Sequence, residues 1–415
     1  MKIAFVVQKI AGRNGGAERV LIETANEMAR RGHQVEILAH ENRGIGPFYT
    51  LEDGVVHRNL FKRPIEHVDK ERYKKFERFR DSLPISFPGV RLYKWHLRNG
   101  QFIKDLRQYI LEQKPDVLVP FMPPAMIASA YATKDIDVPI VASTHNAPEQ
   151  DYENPERWDP NPVDIQRRRR ILERMTRILV LLPKYREWYP SHLHEKIIVV
   201  PNPVQQLPES ELNAAGRQKR ALFVGRMAHV KRPLFMVKVW KRIIDEFPDW
   251  SLDFFGGGPL EHDVDRATAA FEFTHPGRLR YRGVTSEISK EYLASSLLCH
   301  PAEYEGFPLA VSEALAHGLP VVGFKSCSGL NALVEDGVNG VLVEDGKDEA
   351  ESIERWVDAL RKLLSSDETL ARLSKNAPAS VASYAPVSVY DQWEEILHGV
   401  TEAKERGGAR LEAAG

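Results

Sequence analysis

Short apolar runs alternate with longer amphipathic stretches from the first residues of the chain onward. The run 2–7 leads through a glycine-containing turn into a stretch, ending near Arg31, in which apolar residues recur on one helical face. Gly32 ends this predicted helix, and a second apolar run follows at 35–39. The order strand, helix, strand is typical of a parallel α/β sheet, and we predict the α/β class for the whole chain.

The alternation continues to residue 203 and starts again at residue 220. In the first half the further predicted strands are 116–121, 138–143, 178–182 and 196–200. In the second half they are 220–225, 250–255, 279–282, 295–299, 319–322 and 341–343. Strands separated by helices predict doubly wound sheets, in which ligands bind beyond the carboxyl ends of the strands.

The polar stretch 204–219 separates the two halves. It lacks periodicity and is typical of a linker. We therefore predict a Rossmann-like domain at 1–203 and a second one at 220–384, facing each other across a central cleft.

The end of the chain carries one more helical pattern. Tyr390, Trp393 and Ile396 share one face of an amphipathic helix predicted at 385–400, which is expected to pack back toward the first domain. The following segment, 401–415, is small, polar and glycine-containing, and is expected to be a disordered tail.

Composition limits the classes of function. The chain has 415 residues, which is too long for one compact core, and its formal net charge of −1 gives no reason to expect a nucleic-acid partner. The arginine run 167–170 is short and predicts a solvated helix face. Cys299 and Cys327 are the only cysteines, so no disulfide framework is indicated and a reducing compartment is favoured.

No apolar run reaches the ~18 residues that span a bilayer. The first residues fit a strand better than a signal peptide, so we expect a cytoplasmic protein, or one on the cytoplasmic face of a membrane. The stretch 61–110 holds thirteen Lys and Arg against six Asp and Glu, with aromatic residues among them. It fits either contact with an anionic membrane surface or acceptor, or a solvated helical face with the aromatic residues in the core.

The strongest chemical signal lies between residues 305 and 323. Glu305 and Glu313 flank a loop and the start of a predicted helix, which ends at His317 and Gly318 and which a short predicted strand follows. Pro308 fits the first helical turn, where a missing N–H costs little. Two carboxylates on roughly one side of a helix N-terminus predict a site for sugar hydroxyls and phosphate.

Other strand ends add cations and glycines. Arg226 and Lys231 follow one strand and supply donors for phosphate oxygens, while glycines 256–258 follow the next strand and permit close backbone approach. Gly15 and Gly16 either let backbone approach a phosphate or only form a tight turn, because the dinucleotide fingerprint G-x-G-x-x-G is absent.

His145 follows a predicted strand of the first domain. A lone histidine is more often structural, but ligands bind at the carboxyl ends of such strands, so this position favours a functional role. The aspartate pairs 135/137 and 263/265 are poorly placed for metal binding. We therefore expect no cofactor and an activity independent of metal ions, with Arg and Lys side chains handling the diphosphate charge.

With these motifs in view, the chain resembles retaining glycosyltransferases of family 4 with the GT-B fold, a group that includes bacterial surface-polysaccharide and lipopolysaccharide sugar transferases. The resemblance covers almost the whole chain and is carried by Gly15–Glu18, His145, 200–202, 224–226 with Lys231, 256–259, 305–323 and 334–340. The chain departs from the pattern at 330–332, where many relatives have Pro and Glu, and at Pro203 and Pro308, which replace common glycines.

The resemblance implies roles for individual residues. Arg226 and Lys231 would bind the diphosphate, Glu313 the ribose and Glu305 the donor sugar, and His145 would contact the sugar near the reacting carbon. The catalytic residues implied are Glu305, His145, Lys231 and Arg226. The nucleotide-sugar-binding residues implied are Gly15, Gly16, Arg226, Lys231, Gly257, Val284, Glu305, Gly306, Phe307, Pro308, Leu309 and Glu313.

The expected function is therefore sugar transfer with retention of configuration. The donor expected is a nucleotide-diphosphate-sugar, UDP-sugar by family default, and the acceptor a hydroxyl of a glycan or lipid-linked molecule in surface-polysaccharide or glycoconjugate assembly. A sugar phosphorylase, a nucleotide-sugar epimerase and a non-catalytic binding subunit are the alternatives that the same residues leave open.

Overall fold

The computed structural model describes residues 1–61, 75, 78, 82, 88–212 and 216–412. The chain divides into two compact units. Unit 1 consists of Met1–Pro201 and Val389–Gly415, and unit 2 of Asn202–Ser388. Both units have a parallel sheet with helices around it, so the prediction of two Rossmann-like α/β domains is confirmed.

Unit 1 contains seven described strands, all parallel to their neighbours. They are β1 (Lys2–Val7), β2 (Gln34–Ala39), β3 (Val55–Asn59), β4 (Val117–Pro120), β5 (Val141–Ser143), β6 (Arg177–Val180) and β7 (Ile197–Val199). The strands pair in the orders β3-β2-β1-β4 and β5-β6-β7. Single bridges from Leu118 to Ile140 and from Phe121 to Ser143 join β4 to β5, so the two parts lie edge to edge.

The helices of unit 1 cover both faces of this sheet. Its α-helices are Gly16–Arg30, Pro88–Gln113, Met122–Ala132, Pro148–Tyr152, Pro162–Arg170, Pro183–Trp188 and most of Pro386–Glu412, and its 3₁₀ helices are Ile171–Arg174 and Ser191–Lys196. Phe5, Leu21 and Trp393 belong to one core cluster, which joins the first strand, the first helix and the last helix. Burial of such apolar surface is the main driving force for this packing.

Unit 2 contains one six-stranded parallel sheet of order β10-β9-β8-β11-β12-β13. Its strands are β8 (Arg220–Val224), β9 (Ser251–Phe255), β10 (Leu279–Gly283), β11 (Leu297–His300), β12 (Val321–Phe324) and β13 (Gly340–Val343). Its α-helices are Pro233–Ile243, Glu261–Glu272, Ile288–Ala294, Leu309–Ala316, Leu330–Leu333, Glu349–Leu364 and Asp367–Asn376, and its 3₁₀ helices are Glu209–Glu211, His229–Lys231 and Pro378–Tyr384. The sheet order reverses between β8 and β11, which is where ligands bind in sheets of this kind.

The strand β3 was not predicted from the sequence. Its five residues are half-buried or exposed, and only the two valines are apolar. An edge strand of this composition lacks the apolar run that marks the central strands, so the pattern carries no signal for it.

The stretch predicted as a linker, 204–219, is instead part of unit 2. The Val204 side chain is buried, and its backbone N–H donates to the Tyr384 carbonyl at 2.8 Å. Arg217 donates to the carbonyls of Ser295 and His317 at 2.9 and 2.5 Å. Side-chain anchors of this kind are widely spaced and do not produce a periodic pattern.

The predicted disordered tail, 401–415, is also corrected, because the last helix continues to Glu412. Its residues after 400 include Glu, Ala, Lys and Arg, which are strong helix formers. Arg406 and Glu402 form an ion pair at 2.8 Å with i,i+4 spacing, which supports the extra turns. Residues 413–415 lie outside the described part of the chain.

The basic, aromatic stretch 61–110 falls partly outside the described residues. Its second part forms the helix Pro88–Gln113, in which Trp95 and Phe102 are buried and Tyr93 is 56% exposed. Within the described part of the chain, no helix is long and apolar enough to cross a membrane.

Candidate functional site

Four loops at the carboxyl ends of the strands of unit 2 are held together by backbone hydrogen bonds. The loop after β8 joins the loop after β9 through Met227 N–H and the Gly257 carbonyl, 2.9 Å apart. It joins the loop after β11 through Glu303 N–H and the Val230 carbonyl, at the same distance. Glu305 N–H then donates to the Ser328 carbonyl at 3.0 Å, which ties in the loop after β12.

Glycines allow two of these loops to approach closely. Gly256 has φ +129°, and a Cβ atom there would lie 2.0 Å from the Gly225 carbonyl oxygen. Gly258 has φ +151°, and its Cβ would lie 2.6 Å from the Met227 carbonyl oxygen. Only glycine fits both conditions, so Gly256 and Gly258 are required for this contact between the loops.

Lys231, Glu305 and His300 form a charged cluster where the loops meet. Lys231, at the end of the 3₁₀ turn His229–Lys231, contacts the Glu305 Oε1 atom through its ammonium group. His300, the last residue of β11, places its Nε2 atom 2.7 Å from the same oxygen. The Glu305 side chain is only 11% exposed, so one nearly buried carboxylate is shared by two donors.

The electrostatics of the cluster favour an ionised carboxylate. Burial alone would raise the pKa of Glu305, but the positive charge of Lys231 and the hydrogen bond from His300 outweigh it and lower that pKa to about 2. Burial also lowers the pKa of His300. A neutral imidazole therefore donates to a permanently negative carboxylate near pH 7.

Arg226 and Glu313 lie in the same unit but are held differently. Arg226 follows β8, is exposed, and forms no ion pair with any residue that the structure describes. Glu313 lies within the helix Leu309–Ala316, and its Oε2 atom is 3.3 Å from the hydroxyl of buried Tyr292. The first supplies an accessible cation and the second a carboxylate that a neighbour orients.

The start of the helix Leu309–Ala316 lies directly after the charged cluster. Pro308 is the residue that precedes the helix, one position earlier than predicted, and the buried Phe307 ring packs edge-on against Tyr384 at 5.3 Å. The carbonyl oxygens of Glu305 and Gly306 lie close to Gly329. A Cβ atom added at Gly329 would lie within 3.0 Å of both oxygens. Backbone N–H groups at a helix start favour anions.

Gly257 and Val284, both candidate nucleotide-sugar-binding residues, lie close together. A Cβ on Gly257 would lie 3.3 Å from the Val284 Cγ2 atom, and Val284 is 60% exposed. The Tyr281 hydroxyl donates to the Gly256 carbonyl at 2.8 Å, which fixes the loop beside them. An exposed apolar side chain next to glycine backbone can contact a flat ring.

In unit 1, Gly15 and Gly16 lie at the start of the first helix, and Gly15 precedes its first turn. A Cβ on Gly15 would meet the Glu18 Oε2 atom at 2.3 Å, so the Glu18 carboxylate folds back over the start of its own helix. Arg13 lies 3.7 Å from the same carboxylate. The first turn therefore already has an anionic group at the position that favours one.

His145 follows β5, as predicted. Its ring stacks on Phe121 with centroids 4.6 Å apart, and its Nε2 atom is 3.0 Å from the Ser143 hydroxyl. Its Nδ1 atom is buried and has no hydrogen-bond partner among the described residues. Burial lowers the pKa of His145 to about 3, so the imidazole is neutral near pH 7.

One aspartate of each pair considered for metal binding forms an ion pair. Asp135 pairs with Arg107, and Asp263 pairs with Arg266.

Sequence reasoning missed His300. It is the last residue of a buried strand, so in the sequence it looks like the end of an apolar run. Its contact with Glu305 is visible only in the folded structure. The available signal was its spacing, since His300 precedes Glu305 by five residues at a strand end that already carried a candidate carboxylate.

Two family profiles match the chain and together cover most of it. "Glycosyltransferase Family 4" matches residues 14–206, and "Glycosyl transferases group 1" matches residues 206–380. Their common boundary lies close to the boundary between the two compact units.

Two relatives match over nearly their full length. An uncharacterized glycosyltransferase of Haemophilus influenzae is 26% identical over 407 residues, covering 95% of this chain and 99% of that protein. A Campylobacter jejuni protein is 22% identical over 410 residues, covering 97% of this chain and 100% of that protein. Its name describes an α-1,4-N-acetyl-D-galactosaminyltransferase acting on a diphospho-undecaprenol-linked glycan.

Solved structures share the architecture. The crystal structure of Anabaena HepE in complex with UDP and glucose has a TM-score of 0.70 at 19% identity, covering 96% of this chain and 99% of that one. At this level of identity the likeness concerns the fold.

Proposed function

We propose that this chain, which belongs to the family 4-type glycosyltransferases of the GT-B fold, transfers a sugar from a nucleotide-diphosphate-sugar to an acceptor hydroxyl. The observation that carries the proposal is the cluster of Lys231, Glu305 and His300 where the loops of unit 2 meet. An ammonium group beside a carboxylate at a helix start suits a ligand with both phosphates and hydroxyls.

The donor is proposed to be a UDP-sugar, which the UDP-bound Anabaena structure supports. Arg226 and Lys231 bind the diphosphate, and Glu313 accepts hydrogen bonds from the ribose hydroxyls. Glu305 accepts from the donor sugar hydroxyls. Gly257 and Val284 border the base, and the backbone from Gly306 to Leu309 faces the phosphate. Gly15 and Gly16 are proposed to contact phosphate through their backbone.

The reaction is proposed to retain the anomeric configuration. The acceptor hydroxyl attacks on the face from which the diphosphate departs, and the leaving phosphate oxygen takes its proton. Lys231 and Arg226 stabilise the negative charge that develops on the leaving group. His145 contacts the donor sugar as a neutral group. The remaining rate enhancement comes from holding the donor sugar and the acceptor hydroxyl in a reactive orientation. No step uses a metal ion, so turnover should be unaltered by EDTA.

The acceptor is proposed to be a glycan or lipid-linked molecule of surface-polysaccharide assembly. The named substrate of the Campylobacter jejuni relative supports a lipid-linked acceptor. The exposed Tyr93 on the basic helix Pro88–Gln113 supports contact with an anionic membrane surface. The protein would then work in the cytoplasm, on the cytoplasmic face of the membrane. Binding to anionic vesicles but not to zwitterionic ones is the expected result; equal absence of binding contradicts it.

The deciding experiment incubates the purified chain with UDP-, GDP- and ADP-sugars, first alone and then with candidate acceptors. We expect slow hydrolysis of a UDP-sugar and faster transfer to an acceptor, with the product anomer, assigned by proton NMR couplings, the same as in the donor. Sugar 1-phosphate formation from inorganic phosphate would identify a phosphorylase. Acceptor-independent change of the sugar would identify an epimerase, and binding without turnover a non-catalytic subunit.

A further inference from the structure

Three side chains that the proposed reaction does not use converge at the other end of unit 1. His33 lies in the turn between the first helix and β2. Glu394 and His398 lie one helical turn apart on the last helix, so they share a face. One ligand atom from each of the three residues lies within 4.8 Å of the other two.

The contacts among them are direct. The His33 Nε2 atom is 3.0 Å from the Glu394 Oε1 atom, and the centroids of the two imidazole rings are 5.5 Å apart. The His33 side chain is 6% exposed and that of Glu394 28%, while His398 is exposed. The cluster is therefore built on a nearly buried residue and open to solvent on one side.

We propose that His33, Glu394 and His398 form a binding site for a divalent transition-metal ion, with Zn²⁺ the best fit. Two imidazoles and one carboxylate are typical Zn²⁺ ligands, with bonds of about 2.0–2.2 Å and a fourth position for water. Tetrahedral bonds of that length place ligand atoms about 3.4 Å apart. The exposed His398 ring can rotate to close the remaining gap.

Charged neighbours orient the Glu394 carboxylate. Arg31 donates to the Glu394 Oε2 atom at 2.7 Å, which orients the carboxylate and leaves its Oε1 atom toward His33. Asp391 lies 2.8 Å from Arg31 and offsets part of its charge.

The position of the site indicates a structural role. His33 precedes β2, whereas His145 follows β5, and the strands of unit 1 are parallel, so the two histidines lie at opposite ends of the sheet. A bound ion would link the last helix to the turn before β2. It would thereby hold the C-terminal segment of the chain against the rest of unit 1. It would raise stability and leave turnover unchanged.

The test uses the full chain without an affinity tag, titrated with ZnCl₂ by isothermal calorimetry and followed by thermal unfolding. We expect one ion per chain and a Tm that rises with ZnCl₂ and returns in EDTA. His398→Ala should weaken Zn²⁺ binding by about tenfold or more, because even substitution of a residue that only hydrogen-bonds to a metal ligand lowers metal affinity by that much. His192→Ala is the matched control, because His192 is exposed and pairs with one carboxylate, Glu173, at 2.6 Å.

Because His398 is exposed, its substitution should leave the Tm in EDTA unchanged. Co²⁺ provides a second readout, with visible absorption bands of a four-coordinate ion in the wild type and none in His398→Ala. Equal Zn²⁺ affinity in wild type and His398→Ala would overturn the proposal, as would a His192→Ala variant that loses as much affinity.

Discussion

The carboxyl-end loops of the two units differ in their electrostatics. In unit 2, the cations Lys231 and Arg226 follow β8, and a carboxylate of lowered pKa, Glu305, is fixed between two donors. In unit 1, the neutral imidazole of His145 follows β5, and the carboxylate of Glu18 lies over the first helix. Phosphate groups need fixed positive charge, so this difference supports the proposal that the donor phosphates bind in unit 2.

The largest expected effect comes from removing the cation of unit 2. Lys231→Ala should lower kcat by about 10²–10³, because charge on the leaving diphosphate then lacks its strongest donor. Lys238→Ala removes an exposed lysine of the same unit, paired with Glu349, and should have wild-type kcat. Steady-state kinetics with the donor found in the screen, together with Tm values, checks both variants. Near-wild-type turnover of Lys231→Ala would contradict the assignment.

The next effect tests the loops that place these charges. Gly256→Ala introduces a Cβ 2.0 Å from the Gly225 carbonyl oxygen at φ +129°. Backbone strain of this kind alone costs about 1–3 kcal/mol, so Tm should fall by about 2–12 °C, and donor binding should weaken. At Gly216, no atom of the described residues lies within 4 Å of an added Cβ, so Gly216→Ala should unfold at the wild-type temperature. A Gly256→Ala variant with unchanged Tm would show that the loops do not require this contact.

A smaller effect is expected at His300, which positions Glu305. His300→Leu removes a hydrogen bond to a charged group and should lower kcat by about tenfold, with KM for the donor changed as well. His300→Gln keeps a donor and should recover part of the loss. A purely structural role would move Tm in both variants equally, without the difference in kinetics between Leu and Gln.

In unit 2, the sequence pointed to the charged candidate residues more readily than to the residues that hold them in place. Motif spacing singled out Lys231 and Glu305 as candidates, and the structure brings these two into contact. Arg226 and Glu313 were singled out as well, and they stay candidates. His300 was missed because its partner is fixed only by the fold. The linker and tail were predicted wrongly, since Arg217's carbonyl contacts and the helical turns after 400 depend on widely spaced or weak local signals. The edge strand β3 has too few apolar residues to be visible.

The smallest effect is the change of Tm with pH, which should involve His145 of unit 1 but not Glu305 of unit 2. His145 has a pKa of about 3, below its usual value of 6.5, so the unfolded chain binds a proton that the folded one does not. The stability contributed by the neutral ring is complete above about pH 6.5 and is lost as pH falls toward 3. Between pH 7.5 and 5.5 the Tm of wild type should fall more than that of His145→Gln.

Glu305→Gln is the matched control from unit 2. Glu305 has a pKa of about 2, so its contribution changes only below about pH 4.5. The slope of Tm between pH 7.5 and 5.5 should therefore equal that of wild type. The interpretation of His145 fails if His145→Gln also keeps the wild-type slope.

The most direct test of the central claim is the affinity of UDP for three forms of the chain, measured by isothermal titration calorimetry. Wild type should bind UDP, and Lys231→Ala should bind it at least about tenfold more weakly, as for a lost charge-assisted hydrogen bond. Arg13→Ala removes the cation beside Glu18 in unit 1 and should change affinity by less than about threefold, the range of a weak exposed ion pair. Absence of UDP binding by wild type, or equal weakening by the two substitutions, would contradict the placement of the donor phosphates in unit 2.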